Sequence, residues 1–228
     1  MNRSEQIAAN LQQVNENIAH AAKKAGRSID KISLIVVTKT FPLSDLEILY
    51  ELGLREFGEN RDQEAVEKVD KLPNDVKWHF QGGIQSNKLK SIATWASCIH
   101  SVDQLKYAQI ISDQNLAIPK QIFIQLSLDQ PPESRGGVDP AKLFDLALSI
   151  EKLPGVSLQG LMAVAPLTSP LSDSFARLKA IHDEFKEVYK NATYLSAGMS
   201  GDYEMAISYG ATHLRIGSSI LGIRAPIK

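Results

Sequence analysis

The feature that most constrains the fold is a regular alternation of short apolar runs with amphipathic stretches along most of the chain. The clearest apolar run, residues 32–37, is apolar on both faces, as expected for a strand buried between helices. Seven more strand-like runs follow it, at 55–58, 76–81, 97–101, 121–128, 157–164, 193–196 and 212–216. Each run precedes a helix-like stretch, at roughly 25 residues per unit. Eight such units predict a (β/α)8 barrel of the TIM type.

The helix-like stretches after the strands are residues 44–52, 62–71, 87–94, 103–115, 140–152, 172–189, 202–209 and 218–223. Ser44 and Glu47 have the spacing of a capping box, and Asp139 before Pro140 is a second helix-start signal. An additional helix is predicted before the first strand, within residues 1–26, and is expected to pack on the barrel. Its apolar stripe consists of Ile7, Leu11, Val14, Ile18 and Ala22.

An open, doubly wound sheet is the alternative fold for alternating strands and helices. Such a sheet usually opens with a glycine-rich phosphate loop after its first strand. Here the first strand is followed by residues 38–42, Thr-Lys-Thr-Phe-Pro, which contain no glycine. No shift in composition marks a second domain, so we predict that residues 1–228 form a single barrel domain.

The charge balance excludes several kinds of partner. The chain has 25 Lys and Arg against 26 Asp and Glu, and it lacks the basic excess of proteins that bind nucleic acids or anionic membranes. Its longest uncharged stretch, residues 153–172, is interrupted by prolines and glycines, so no membrane span is predicted. The N-terminus lacks a secretory pattern, and the single cysteine, Cys98, fits a reducing compartment. We therefore expect a cytoplasmic protein.

Two glycine- and serine-containing loops lie where barrels of this type usually bind phosphate, after the seventh and eighth strands. The first loop contains Ser200 and Gly201, and the second contains Gly217 and Ser218. Glycine lets backbone N–H groups approach an anion, and serine adds a hydroxyl donor at the start of a helix. Alternatively, the two serines only cap the helices that follow them.

Lys39 lies just after the first strand, at the same end of the barrel. An amine beside an apolar wall loses its proton more readily and can form a Schiff base with an aldehyde. Together with a phosphate site, it suggests a phosphorylated aldehyde, either pyridoxal phosphate or a sugar phosphate of the aldolase type. The alternative is an ordinary surface lysine.

Arg215 lies within the eighth strand, between Leu214 and Ile216. It forms either a structural ion pair inside the barrel or a contact with the nitrogen of a bound ring. A guanidinium in the second role keeps that nitrogen unprotonated, which makes the ring a poor electron sink.

Asn60 and His79 are further candidates at the mouth of the barrel, where they can hydrogen-bond a ring substituent or loop backbone. The histidines and Cys98 lack the spacing of His-x-His or Cys-x-x-Cys motifs, so no metal site is predicted. No Ser-His-Asp nucleophile elbow is present, and we assign no catalytic residue.

An ordered set of motifs resembles one known family. The sequence is similar to the pyridoxal-phosphate homeostasis proteins, single-domain relatives of the N-terminal domain of alanine racemase, over essentially its whole length. The motifs are Val37-Thr38-Lys39-Thr40, Phe57-Gly58-Glu59-Asn60, Trp78-His79-Phe80-Gln81-Gly82, His100-Ser101-Val102-Asp103, Gly160-Leu161-Met162-Ala163, Gly198-Met199-Ser200-Gly201-Asp202 and Arg215-Ile216-Gly217. One departure is Arg135-Gly136-Gly137, where Lys-x-Gly is usual.

The resemblance implies that Lys39 carries pyridoxal 5'-phosphate as a Schiff base and that Arg215 faces the pyridine nitrogen. It also implies a phosphate site formed by Ser200, Gly201, Gly217 and Ser218. The implied role is that of a cofactor carrier in vitamin B6 and amino-acid homeostasis, without robust catalysis. Enzymes that lack their pyridoxal phosphate are the possible recipients.

A weak amino-acid racemase is the alternative function. Racemisation by two bases needs a second acid or base opposite the lysine. In the two-domain relatives a tyrosine from a following domain supplies it, whereas the eighth unit here ends near Lys228. Tyr203, next to the phosphate loop, is the one tyrosine that we consider for this role. The expected lack of the second domain also favours a monomer.

Overall fold

The computed structural model describes residues 2–129, 136–166 and 169–222. Its eight parallel strands follow one another in chain order and close into a barrel, because β8 pairs with β1. The strands are β1 Ser33–Val37, β2 Glu56–Glu59, β3 Lys77–Phe80, β4 Cys98–Val102, β5 Lys120–Leu126, β6 Val156–Ala163, β7 Tyr194–Ser196 and β8 His213–Ile216. The predicted (β/α)8 fold of the TIM type is therefore confirmed.

Helices surround the barrel between successive strands. They are α1 Arg3–Lys24, α2 Leu43–Glu51, α3 Asp62–Val69, α4 Leu89–Trp95, α5 Leu105–Ser112, α6 Leu143–Ile150, α7 Leu171–Val188, α8 Tyr203–Ser208 and α9 Ser218–Leu221. Short 3-10 turns occupy Ile29–Lys31, Ser86–Lys88 and Pro140–Lys142. None of the helices in the described ranges is long and apolar enough to cross a membrane.

The N-terminal helix α1 packs against α8, α9 and α2. Its predicted apolar stripe is buried, and Gly26 follows its end with a positive φ of 64°. Arg3 donates hydrogen bonds to the Asp45 carboxylate in α2 and, at 2.9 Å, to the carbonyl oxygen of Leu221 in α9. The helix is thus attached to the barrel by an apolar face and by a polar clamp at its start. The extent of the domain, residues 1–228, stays a prediction.

Two helix-start signals had different outcomes. Asp139 accepts a hydrogen bond from the amide of Ala141 at 2.9 Å, which confirms it as a cap, although it opens a 3-10 turn before α6. The capping box of Ser44 and Glu47 is wrong. Pro42 fixes an extended entry and its carbonyl accepts from the amide of Asp45 at 3.1 Å, so α2 begins one residue earlier.

Two glycines allow close contacts between strands or between the loops that follow them. At Gly160 in β6, a Cβ atom would lie 1.9 Å from the carbonyl oxygen of Tyr194 in β7. At Gly82, just after β3, it would lie 2.0 Å from the carbonyl oxygen of Asn60, just after β2. Both distances are far below van der Waals contact. The second glycine brings the two loops together where the candidate site lies.

The strand contacts are uneven around the barrel. The strands β5 and β6 pair from Lys120↔Val156 to Leu126↔Ala163. By contrast, β7 pairs with β8 at one position, Ser196↔His213. Backbone hydrogen bonds outside that ladder also join β7 and β8, from Thr212 to Leu195 and from Ala197 to His213.

Candidate functional site

A pocket of about 680 Å³ opens at the carboxyl ends of the strands, a volume typical of small-molecule sites. Seven of the eight residues predicted for the site line it: Lys39, Asn60, Ser200, Gly201, Arg215, Gly217 and Ser218. The structure therefore brings the candidate amine and both candidate phosphate loops together. His79 is the exception. Apolar side chains that the sequence did not single out, among them Val37, Met162 and Val164, form much of the remaining wall.

Lys39 is half-buried and lies in a tight turn directly after β1. The amide of Phe41 donates to the carbonyl oxygen of Thr38 at 3.1 Å and closes the turn. Thr40 has a positive φ of 66°, which is unusual for a β-branched residue. Its amide donates to the Glu64 carboxylate at 2.8 Å, which holds this conformation in place. A strained turn fixed from α3 thus presents Lys39 at the pocket.

A buried ion pair between Lys68 and Glu59 also stabilises this turn. The Nζ of Lys68 in α3 lies 2.7 Å from Oε1 of Glu59 and donates to the carbonyl oxygen of Thr38 at 3.0 Å. The hydroxyl of Thr38 donates to the same carboxylate oxygen at 2.7 Å. Burial raises the pKa of Glu59, and Lys68 opposes that shift. In the sequence, burial of Lys68 is indicated only by its position three residues after Ala65, which puts it on the apolar face of α3.

The two predicted phosphate loops contact each other through one serine. The hydroxyl oxygen of Ser200 accepts from the amides of Gly217 and Ser219, both at 3.3 Å. Ser219 returns a hydrogen bond from its hydroxyl to the carbonyl oxygen of Ser200 at 3.4 Å. These distances are at the long end of the hydrogen-bond range. Two amide donors therefore converge on one oxygen atom, an arrangement that suits an oxygen of a phosphate group equally well.

Arg215 reaches the pocket from inside the barrel and is only 5% exposed. Its Nη1 donates to Oγ of Ser196 at 2.8 Å, and its Nη2 donates to the carbonyl oxygen of Ala163 at 2.9 Å. Burial lowers its pKa to about 10, so it stays charged at neutral pH. No carboxylate of the described ranges forms an ion pair with it. The interior ion pair considered from the sequence is therefore not formed there.

Gln81 lines the same pocket next to Asn60. Its side-chain nitrogen Nε2 is buried and has no hydrogen-bond partner among the residues that the structure describes. The side chain packs over Gly58, where an added Cβ atom would lie 3.0 Å from its Oε1. This amide group is a donor in the pocket that the sequence analysis named only within a family motif and did not assign to the site.

The placement of His79 at the mouth is wrong. Its side chain points into the barrel from the middle of β3, before the strand reaches its carboxyl end, and it lines a different cavity of about 570 Å³ at the amino ends of the strands. It lies in a cluster with Cys98 and His100, whose potential metal-ligand atoms are all within 4.8 Å of one another. Spacing motifs did not reveal this cluster because it joins two strands, through the pairing of His79 with Cys98.

A comparison with known protein families identifies the family of this chain. The family model described as alanine racemase, N-terminal domain, matches residues 9–225. The chain belongs to this family. It is also similar to the pyridoxal phosphate homeostasis protein of Escherichia coli strain K12, with 37% identity over 227 residues that cover 96% of this chain and 97% of the relative.

Solved structures share the same architecture. PipY of Synechococcus elongatus PCC7942, solved with PLP bound, has a TM-score of 0.82 and 30% identity, covering 95% of this chain and 100% of that one. Alanine racemase of Clostridium difficile 630 has a TM-score of 0.76 at 15% identity, covering 98% of this chain and 58% of that one. The second similarity concerns the fold alone.

Three residues considered from the sequence fall outside the described residues or outside the pocket. Arg135 and Ile223 lie outside the described ranges. Tyr203 lies in α8 and is 5% exposed, and its hydroxyl accepts from Nδ2 of Asn17 in α1 at 3.0 Å. Tyr203 therefore faces the N-terminal helix, and it is not among the residues that line the pocket.

Proposed function

We propose that this chain is a binding protein for pyridoxal 5'-phosphate in vitamin B6 and amino-acid homeostasis, holding the cofactor reversibly on Lys39. The observation that carries the proposal is the presence of one amine and one set of convergent amide donors on a single pocket. The relatives named for pyridoxal phosphate homeostasis and the PLP-bound PipY support the same ligand.

Lys39 supplies the covalent attachment in this proposal. Its unprotonated Nζ adds to the aldehyde carbon, a carbon–nitrogen double bond forms, and the aldehyde oxygen leaves as water. Hydrolysis reverses the step and restores both the free amine and the aldehyde. The cofactor supplies an aldehyde that can pass to another amine, so enzymes lacking their pyridoxal phosphate are the proposed recipients.

The phosphate occupies the other side of the pocket. The backbone amides of Gly217 and Ser219, which donate to the hydroxyl oxygen of Ser200 in this structure, can donate to the phosphate instead. The hydroxyls of Ser200 and Ser218 and the backbone of Gly201 complete the site. A phosphate oxygen binds these donors more strongly than a neutral hydroxyl, because hydrogen bonds to an ionised acceptor are stronger. We assign the hydroxyl oxygen of Ser200 the role of an acceptor that a phosphate oxygen replaces when the ligand binds.

Arg215 and Asn60 orient the ring in this proposal. The charged guanidinium faces the pyridine nitrogen and donates to it, which keeps that nitrogen unprotonated. Asn60, next to the paired loops of β2 and β3, binds the ring substituent. An unprotonated ring stabilises a neighbouring carbanion poorly, which favours carrying over catalysis.

The lining of the pocket also favours a carrier. Within the described part of the lining, Lys39 is the one group with the chemistry of a general base. Tyr203, the second base considered for a racemase, is directed at Asn17. We accordingly expect negligible interconversion of D- and L-alanine by the loaded protein, measured by chiral chromatography. Steady interconversion that is lost in the Lys39→Ala variant would establish the racemase instead.

The attachment site has a direct test. The purified chain should develop visible absorbance on adding pyridoxal phosphate, and borohydride should remove this absorbance and fix the label. Peptide mapping by mass spectrometry should then find the reduced adduct on the peptide that contains Lys39. A label distributed over several exposed lysines, or its absence, would contradict the proposal. A cytoplasmic, monomeric carrier is part of the same proposal, and sedimentation of the loaded protein measures the oligomeric state.

A further inference from the structure

A continuous hydrogen-bonded chain crosses the inside of the barrel from one cavity to the other. Arg215 at the cofactor pocket contacts Ser196, and Oγ of Ser196 lies 2.8 Å from Nδ1 of His100. Nε2 of His100 lies 2.8 Å from Nδ1 of His79, and Nε2 of His79 lies 2.6 Å from Oε2 of Glu56. Glu56 lines the cavity at the amino ends of the strands. The proposed function uses only the Arg215 end of this chain.

The interior members of the chain are almost completely buried. Ser196 and His100 are 0% exposed, and His79 is 5% exposed. Buried polar groups of this kind are expensive unless every donor and acceptor is matched, so the proton positions along the chain are strongly constrained.

The ionised end fixes the direction of every bond when His79 is neutral. Burial alone would raise the pKa of Glu56, but hydrogen bonds from His79 and Lys77 lower it to about 2, so it is a carboxylate that can only accept. The proton of His79 is therefore on Nε2, and its Nδ1 must accept from Nε2 of His100. Burial holds the pKa of His100 well below its usual value, so its Nδ1 accepts from the hydroxyl of Ser196.

The lone pairs of Ser196 are then directed at Arg215. With its own proton donated to His100, the hydroxyl oxygen of Ser196 can accept from Nη1 of Arg215 at 2.8 Å. All four donors along the chain point away from the guanidinium and toward the carboxylate. Hydrogen bonds aligned in this way polarise one another, which makes the oxygen of Ser196 a stronger acceptor for Arg215.

A metal ion is the competing explanation for the same cluster. Two histidine nitrogens bound to one tetrahedral zinc ion, each at about 2.0–2.1 Å, lie roughly 3.3 Å apart. Here the two facing nitrogens of His79 and His100 are 2.8 Å apart, which is a hydrogen-bond distance with one proton between them. The geometry favours the hydrogen-bonded chain.

We propose that Glu56, His79, His100 and Ser196 are positioning residues that orient Arg215 toward the ligand ring from the opposite end of the barrel. The ring contact in this proposal rests on the proposed function, whereas the ordering of the chain does not. The oriented chain fixes one guanidinium nitrogen, and Ala163 fixes the other at 2.9 Å. Hydrogen bonds from two of its nitrogens therefore fix the plane of the guanidinium. No carboxylate among the described lining residues takes part.

Histidine tautomers in the cofactor-free, full-length chain test the ordering directly. Long-range proton–nitrogen NMR spectra of 15N-histidine-labelled protein distinguish Nδ1–H from Nε2–H, with assignments from the His79→Gln and His100→Gln variants. At mildly alkaline pH we expect both rings as neutral Nε2–H tautomers. An Nδ1–H tautomer of either ring in the neutral state, or an effect of metal chelators on these signals, would overturn the proposal.

A matched pair of serine variants tests the orientation of Arg215. Ser196→Ala removes a member of the chain, and Ser101→Ala removes a hydroxyl that is similarly buried on β4 but has no hydrogen-bond partner in the described part of the chain. In the loaded Ser196→Ala variant, Arg215 loses one of its two fixed points and should donate less well to the ring, which favours protonation of the Schiff base. The pH midpoint of the visible absorbance should rise by about half a unit. Ser101→Ala should leave that midpoint unchanged.

The outcomes separate the two proposals. Equal midpoints in both variants and the wild type would overturn the positioning role, even with ordered tautomers. If the wild-type chain does not bind pyridoxal phosphate, the proposed function fails, and the tautomers in the cofactor-free protein alone decide whether the chain is ordered as described.

Discussion

Replacing Lys39 with alanine should abolish covalent attachment and reduce retention of pyridoxal phosphate through gel filtration about 100-fold or more, a loss of at least 2.7 kcal/mol. In the proposed function the amine forms the bond to the aldehyde, whereas the loops of Ser200 and Ser218 and Arg215 contact the ligand reversibly and remain in the variant. Absorbance spectra and the amount of cofactor that co-elutes with protein measure the effect. The fold should be retained, because Lys39 is only half-buried and lies in the turn after β1 rather than in the core.

Two control variants distinguish the effect of losing the covalent bond from the effect of losing a positive charge. Lys39→Arg keeps a cation at the pocket but cannot form the Schiff base under these conditions, so it should behave like Lys39→Ala. Lys88→Ala removes another half-buried lysine, one that lines the small neighbouring pocket beside Asn60. It should retain the cofactor like the wild type. An alanine variant at position 39 that keeps the wild-type spectrum would refute the assignment of the amine.

Lys68→Met should lower the free energy of unfolding by about 3–5 kcal/mol, because removing one partner of a buried ion pair leaves the other charge uncompensated. Glu59 is 0% exposed, and Lys68 is its salt-bridge partner at 2.7 Å. Urea unfolding followed by circular dichroism measures the change. Methionine preserves most of the side-chain length, so the loss reports the charge more than a cavity.

The pH dependence of this variant has a definite sign. Burial raises the pKa of Glu59 in the folded state, and loss of Lys68 removes the main opposing effect. An acid with a raised folded-state pKa binds protons more tightly when folded, so stability increases as the pH falls. The deficit of Lys68→Met should therefore be smaller at acidic than at alkaline pH. The same deficit at all pH values would show that lost packing is the cause.

A double variant and a surface variant complete the comparison. Lys68→Met combined with Glu59→Gln should recover much of the lost stability, since no buried charge remains. Lys190→Met removes a lysine from the exposed ion pair with Glu187, and exposed pairs contribute little to stability. It should unfold at the same urea concentration as the wild type.

The fold and the main site residues could be predicted because they follow from local patterns. Apolar runs at regular spacing indicate buried strands, and loops after the seventh and eighth strands of such a barrel lie beside the loop after the first. Lys39 and Ser200 could therefore be assigned to one pocket before any distance was known. The role of each of these two residues can also be inferred from the sequence of a single loop.

His79 shows where this reasoning fails. It is one residue from the end of β3, and whether such a side chain reaches the mouth or the interior depends on the inward and outward alternation of that strand. The chain from Glu56 to Arg215 draws its members from five strands, so no spacing in the sequence marks it. The buried role of Lys68 could not be predicted from the sequence, because its pairing with Glu59 depends on how α3 packs against β2.

The limited ladder between β7 and β8 has a consequence for how the protein responds to its ligand. Segments of a sheet with limited pairing tend to open locally at a lower free energy than the rest. The loops that extend from β7 and β8 carry the proposed phosphate donors, so an anion held by both loops would cross-link two strands that share one ladder position. In the proposed function we therefore expect loading with cofactor to raise the free energy of local opening between these strands and to slow amide hydrogen exchange there.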